Sequence, residues 1–325
     1  MAKTALITWI LGQDWPYLAK FLLEKWYTVY GMIKRYTNPN FSNTDYLWVT
    51  DKINFITWDL SDECSLIHII KSIKPDEVYN LGAQSFVWAS RDLSKLTTEV
   101  NSLGVLYLLN AIKLYNPTTK FYQASTSEMF GNSGENWLQT EDTPFHPRSP
   151  YAISKLYAFW ITNNFKESYG MFCCNGILFN HESPIRWIEF VTRKITDWIA
   201  KIKYWISDSI KLWNLDSKRD RWFAWDYVKA MWMMLQANSP DNYIISTWET
   251  HSIKDFCEVT FNYAWIKDRE KYVKIDPAFN RPAELFVLQG KSDKAREKLW
   301  RTPSVKFKEL AEMMMEADLK RYWEK

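Results

Sequence analysis

The chain has 325 residues, 47% of them hydrophobic, which is enough for a large core and two domains. Its 41 basic and 38 acidic side chains leave a net charge of +3, so no bulk field for nucleic acid exists and no polyanion partner is expected. No apolar run reaches the roughly 18 residues of a membrane helix, and the stretch Thr4 to Thr8 is too short for a signal peptide, so the expected location is the cytoplasm.

Short β-rich runs alternate with helical patterns through the first half. Thr4 to Thr8, Thr28 to Ile33, Asn54 to Asp59, Glu77 to Asn80, Lys120 to Ser125 and Cys174 to Leu178 read as strands, nearly continuous in apolar residues as in a parallel sheet. Between them Tyr17 to Lys25, Ser65 to Ser72, Leu103 to Tyr115 and Ser154 to Tyr169 space apolar residues as helices do. The fold class is therefore α/β, a Rossmann-type doubly wound parallel sheet over residues 1–180. Beyond it, Glu189 to Lys203, Asp226 to Gln236 and Phe307 to Trp323 predict a smaller, mostly helical domain over 181–325, interleaved with the first. Residues 36–52 and 132–140 match no pattern and are expected as loops. Cys64, Cys173, Cys174 and Cys257 have no CxxC spacing, and His68, His146, His181 and His251 form no HxxxH pair; buried thiols and no metal are expected.

The turn after the first strand, Thr8 to Trp15, sits where a dinucleotide fold places its glycine-rich loop. It offers Trp9, Gly12, Gln13 and Asp14 to a cofactor, with glycine at the middle position only. Lys34-Arg35 ends the second strand, and Arg35 there suits the 2′-phosphate of NADP, although ordinary surface charge is an equal reading. Asp59 and Leu60 follow the third strand at the usual adenine position. Leu81, Gly82, Ala83, Gln84 and Ser85 follow the fourth.

Tyr151 and Lys155 are four apart on a helix and share one face, so the ammonium is expected to lower the phenol's pKa and make it a base. Glu128, in Ser125-Thr126-Ser127-Glu128, adds a second proton-transfer group. Two such groups suit an enzyme that eliminates water as well as oxidising an alcohol. In the C-terminal half Asn180, Arg193, Lys194, Arg219 and Arg281 come from separate segments, and converging cations suit a diphosphate.

TALIT, GQD, YLAKFLLEK, YNLGAQS, FYQASTSEMFG, PFHPRSPYAISKLYA, NGILFNHESP, FVTRKIT, NLDSKRD and DPAFNRPAE stand in order along the chain. With these segments the sequence resembles the GDP-mannose 4,6-dehydratases of the extended short-chain dehydrogenase/reductase group. The resemblance implies GDP-mannose as substrate, bound NADP, no membrane partner and a homodimer or homotetramer. It implies that Tyr151 and Lys155 take the 4-hydroxyl proton, that Thr126 holds the 4-oxygen, and that Glu128 removes the C5 proton. Ser127 or Glu128 would protonate the departing 6-hydroxyl, and His181 and Arg186 would lie near the nicotinamide. A nucleotide-sugar epimerase or reductase of the same fold, or a silent NADP-binding module, are the alternatives.

Glycine numbers only 9 residues, far under the usual 7% or about 23, whereas tryptophan numbers 19. Tryptophan stands at 9, 15, 26, 58, 88, 187, 205, 213, 222, 225, 248, 265 and 300, where the resembling family carries glycine; Trp160 and Trp232 match tryptophans of that family. A gene that specifies glycine with UGA, read as tryptophan in this sequence, accounts for both anomalies; deliberate glycine-to-tryptophan exchange or a degenerate protein are the alternatives.

Overall fold

Side chains alternate between two cores along each central strand, as a period of two requires. In β1 (Thr4–Ile7) Ala5 and Ile7 join one core and Leu6 the other; in β5 (Lys120–Thr126) Tyr122 and Ala124 oppose Phe121 in the same way. Burial on both faces explains why these strands read as continuous apolar runs. With β2 (Thr28–Ile33), β3 (Asn54–Thr57), β4 (Glu77–Asn80), β6 (Cys173–Leu178) and β7 (Asn242–Ile245) they form a parallel sheet in the order β3-β2-β1-β4-β5-β6-β7. This computed structural model describes residues 2–35, 38–133, 138–279, 285, 287–299 and 303–323.

The helices that build the cores and the site include α1 (Asp14–Glu24), α2 (Ser42–Tyr46), α3 (Glu63–Ile73), α4 (Gly104–Tyr115), α5 (Pro150–Tyr169), α6 (Val191–Lys203), α7 (Ala224–Gln236), α8 (Ile253–Tyr263) and α9 (Phe307–Trp323). Leu18 and Leu22 of α1 pack with Met231 and Leu235 of α7 on one face of the sheet. Leu66 and Ile70 of α3, Leu108 and Ile112 of α4, and Ala158 of α5 cover the other. A third core joins α6, α8 and α9 through Ile195, Ile199, Phe256 and Met314. Each fully buried side chain of this kind contributes about 1.5–3 kcal/mol.

The six expected strands and the expected helices are all present, with ends shifted by a few residues. The sheet also has a strand the sequence reading did not anticipate, β7, which comes from beyond residue 180 and pairs with β6 over four residue pairs. Three expectations are corrected. Residues 36–52 contain α2, and Leu138–Gln139 pairs with Val287–Gly290, so neither segment is wholly loop. Cys64 is exposed, unlike the other three thiols, because Asp62 caps α3 by accepting from the Cys64 amide at 3.1 Å and fixes it in an outward-facing first turn.

Candidate active site

The chain crosses from β3 to β4 on the opposite side of β1, so the carboxyl ends of β1 and β4 open a crevice at the point where the winding reverses. One hydroxyl joins the two turns that flank it. Thr8 donates to Asn80 Oδ1 at 2.9 Å and accepts from the amides of Leu81 at 3.0 Å and Gly82 at 2.7 Å. Gly82 must lack a side chain, since a Cβ there would stand 2.8 Å from Leu60 Cδ1 and 3.0 Å from the Thr8 hydroxyl. Leu60 is buried, and its carbonyl lies against Gly104 at the start of α4. Thr8 was not singled out from sequence; a lone Thr ending a strand carries no signal of its own.

Beside that turn lies a cavity of about 430 Å³, lined by Trp9, Lys34, Asn40, Asn43, Arg186 and Trp187 among others. Asn43 of α2 closes it by donating to the Gly12 carbonyl at 3.0 Å. Lys34, not Arg35, faces the cavity; it pairs with Asp59 at 3.0 Å, whose carboxylate also accepts from Ser61, and together they hold the Asp59 acid below its usual range against the effect of burial. Arg35 is exposed. A mainly apolar wall of Leu11, Met32, Ile33 and Ile185 with Lys34 and the asparagines at its rim fits the adenosine end of a dinucleotide. The phosphate end is crowded, because the Trp15 indole lies directly over Gly12 and Trp9 stands at the cavity wall.

Gln13 and Asp14 tie this turn to the C-terminal half. Gln13 donates to the His181 carbonyl at 3.2 Å and accepts from Ser183 at 3.0 Å, while Asp14 pairs with His181 Nδ1 at 2.7 Å. Burial alone would raise the Asp14 acid, but His181 and Arg186 hold it below its usual value. The His181 ring stacks on Tyr227 with 3.9 Å between centroids.

Tyr151 sits in the first turn of α5, which begins with Pro150 and is capped by Ser149 accepting from the Ala152 amide at 3.1 Å. Its phenol shares a hydrogen bond with Thr126 at the end of β5 and lies in the field of Glu128. Thr126 in turn caps the tight turn Ser127–Phe130 by accepting from the Glu128 amide at 3.3 Å. Lys155, one turn along α5 and buried, donates to the Ala124 carbonyl at 2.8 Å. The structure corrects the expected tuning of this pair. Burial pushes Tyr151 up to about 12, with Thr126 and Arg186 opposing the rise and Glu128 adding to it. Burial also brings Lys155 down to about 8.

Asn101, which sequence reading missed, lies in the π-helical segment Glu99–Leu103 and joins both halves of the site. It accepts from the Gln84 amide at 2.8 Å and donates to the Gln84 carbonyl and to Ser154 Oγ. Ala83 is buried and Ser85 is exposed in the same turn.

Of the cations expected at a diphosphate, Arg193, Lys194 and Arg219 make hydrogen bonds within the protein. Arg193 donates to both oxygens of buried Asp318 and to the Arg186 carbonyl at 2.9 Å. Lys194 donates to the Lys211 carbonyl at 2.8 Å, and burial lowers its pKa. Arg219 is buried and donates to the carbonyls of Lys218 and Leu285, each at 2.8 Å. On the short strand Asn180–Glu182, the Asn180 backbone N–H donates to the Asp220 carbonyl at 3.1 Å. Arg281 and Trp300 lie outside the described residues.

A family model described as GDP-mannose 4,6 dehydratase matches residues 6–314. The chain is 46% identical to the GDP-mannose 4,6 dehydratase of Drosophila melanogaster over 98% of this chain and 86% of that one. It is 45% identical to the human GDP-mannose 4,6 dehydratase over 98% of this chain and 91% of that one. Among solved structures, dTDP-glucose 4,6-dehydratase of Bacillus anthracis in complex with NAD superposes with a TM-score of 0.85 at 18% identity, covering 99% of this chain and 98% of that one. At that identity the likeness is one of fold.

Proposed function

This chain belongs to the GDP-mannose 4,6-dehydratase family, and we propose that the Tyr151, Thr126 and Glu128 cluster carries its chemistry with NADP as cofactor. The enzyme converts GDP-mannose to GDP-4-keto-6-deoxymannose by internal hydride transfer with loss of water. The observation that carries the site assignment is the phenol of Tyr151 held by the Thr126 hydroxyl with Glu128 beside it. The tight turn after β5 and the first turn of α5 thereby bring together two groups able to move two different protons.

When bound, the nicotinamide supplies a transient acceptor and donor of hydride. Tyr151 takes the proton of the sugar's 4-hydroxyl, with Thr126 orienting the phenol. A phenol near 12 is a weak acid, so its deprotonation needs the positive field of Arg186. The 4-ketone acidifies the hydrogen on C5, and Glu128 removes it. Ser127 or Glu128 then delivers a proton to the departing 6-hydroxyl.

With glycine in place of Trp9 and Trp15, Gly12, Gly82, Lys34 and Asn43 would hold the adenosine and phosphate end. Lys34 in the cavity supports NADP over NAD, since a cation there matches a 2′-phosphate. Residues 1–180 with β7 form the cofactor part in this reading, and the rest of 181–325 the nucleotide-sugar part. The free thiols of Cys64, Cys173, Cys174 and Cys257 support a reducing, cytoplasmic location. Exposed Ile153, Tyr157 and Trp160 on α5, with Leu93 and Leu96, support a homodimer or homotetramer built on that face.

The test is an assay with GDP-mannose and a catalytic amount of NADP, on the chain with glycine at the thirteen tryptophan positions. A 4-keto-6-deoxy product without net NADPH is expected. Equal activity with NAD would overturn the cofactor assignment, and full activity of Tyr151→Phe would overturn the site.

A further inference from the structure

Nine residues other than glycine have a left-handed φ among the described residues, and six of them are tryptophans: Trp9, Trp26, Trp48, Trp205, Trp248 and Trp265, with φ from 57° to 74°. A bulky side chain is a rare occupant of that region, because its Cβ crowds the backbone carbonyl. Glycine meets no such crowding.

Four of the six do the same job. Trp26, Trp48, Trp205 and Trp265 each stand two residues beyond the last residue of a helix, closing α1, α2, α6 and α8. In each case the tryptophan amide donates to a carbonyl three residues back and the next amide to one five residues back. At α1 these are Trp26 to Leu23 and Tyr27 to Leu22, both 3.0 Å; at α8 they are Trp265 to Asn262 at 3.0 Å and Ile266 to Phe261 at 3.1 Å. At α2 and α6 Trp48 bonds Asp45 and Val49 bonds Thr44, while Trp205 bonds Ile202 and Ile206 bonds Lys201. This paired pattern is the helix end that glycine terminates. Gly170 sits at the end of α5 in the same conformation, with φ 65°.

No packing offsets the crowding at these four ends. The tryptophans are 84%, 85%, 92% and 87% exposed. The contrast is Trp232 inside α7, whose indole donates to the Tyr27 hydroxyl at 3.1 Å, takes the Phe21 ring edge-on and lies 4.1 Å below the Lys25 ammonium. Trp160, Trp198 and Trp323 also lie within helices.

We propose that positions 9, 26, 48, 205, 248 and 265 are glycine in the protein as its own cell makes it, their shared codon being decoded there as glycine. Backbone angles add Trp48 to the set, a position that sequence resemblance did not single out. They also make Trp9, at the cavity wall, a glycine of the nucleotide-binding turn. The inference rests on conformation and not on the proposed function.

The experiment is a peptide map by tandem mass spectrometry of the protein isolated from the cells that carry the gene, read against the gene's codons. Glycine is expected at all six positions from one codon, with tryptophan at 160 and 232 from another. Tryptophan in any of the six peptides, or one codon shared by the six and by 160 and 232, would overturn the proposal. Neither result depends on catalytic activity.

Discussion

Asn101 donates to the hydroxyl of Ser154 at 3.1 Å, and that hydroxyl donates to the Tyr151 carbonyl at 2.7 Å. A buried amide on the π-helical segment therefore sets the turn of α5 on which both Tyr151 and Lys155 stand, while its other contacts hold Gln84 beside the crevice.

Asn101 is expected to act as a positioning residue, because it fixes Gln84 and, through Ser154, the turn that carries Tyr151. Asn101→Ala should lower kcat about tenfold, the equivalent of about 1.4 kcal/mol, and change KM little. Steady-state kinetics with GDP-mannose check this. A purely structural role would instead lower Tm with kcat per folded enzyme unchanged.

Glu128→Gln keeps the shape of the side chain and removes the base. Dehydration should fall by about 10²–10⁴-fold, the usual worth of a positioned proton-transfer group. Loss of solvent deuterium incorporation at C5 is the accompanying measurement, and retained incorporation would remove Glu128 from that step.

Lys155 is protonated in the unfolded chain up to its ordinary value near 10.5 but only to about 8 when buried in the fold. The folded state thus binds fewer protons between these values, and stability rises with pH across that window. Below about 8 the buried charge opposes folding in full. Lys155→Met should therefore gain in Tm relative to the parent at pH 7, and the gain should shrink as the pH approaches 10.

Asp318, fully buried, takes Arg193, Thr196 at 2.6 Å and Arg321 at 2.7 Å. Asp318→Ala leaves two guanidinium groups without their acid and should cost about 3–5 kcal/mol. Urea unfolding measures it. A cost under about 1 kcal/mol would show that the cluster is solvated in practice.

Glycine at 26, 48, 205 or 265 should stabilise by about 1 kcal/mol each, since the relief of left-handed crowding exceeds the entropy glycine adds to the unfolded chain. Trp160→Gly, in a helix interior, should destabilise by about 0.5–1 kcal/mol. Thermal melts of the five variants check the opposite signs.

The α/β alternation was legible because β1, β4 and β5 are buried on both faces and so carry their identity in unbroken apolar runs. Tyr151 and Lys155 could be paired from sequence because residues four apart on one helix share a face. Asn101 and Thr8 were not, since what makes each important is a partner roughly 20 to 70 residues away and a single Asn or Thr has no periodicity. Lys34 was passed over for Arg35 because adjacent residues on a strand end point to opposite sides, and only the fold says which side holds the cavity. The seventh strand was hidden by its place among the helices of the second half. Trp48 escaped because the need for glycine there lies in a backbone angle.

The pairing of β6 with β7 has a consequence for how the chain is made. β6 leaves the ribosome well before Asn242 to Ile245 exist, so its outer edge of amides and carbonyls stays unpaired while most of α6 and α7 is synthesised. The first 180 residues, produced alone, would expose that edge to other chains and should aggregate. Solubility during synthesis therefore depends on the late arrival of four residues from the other half of the molecule.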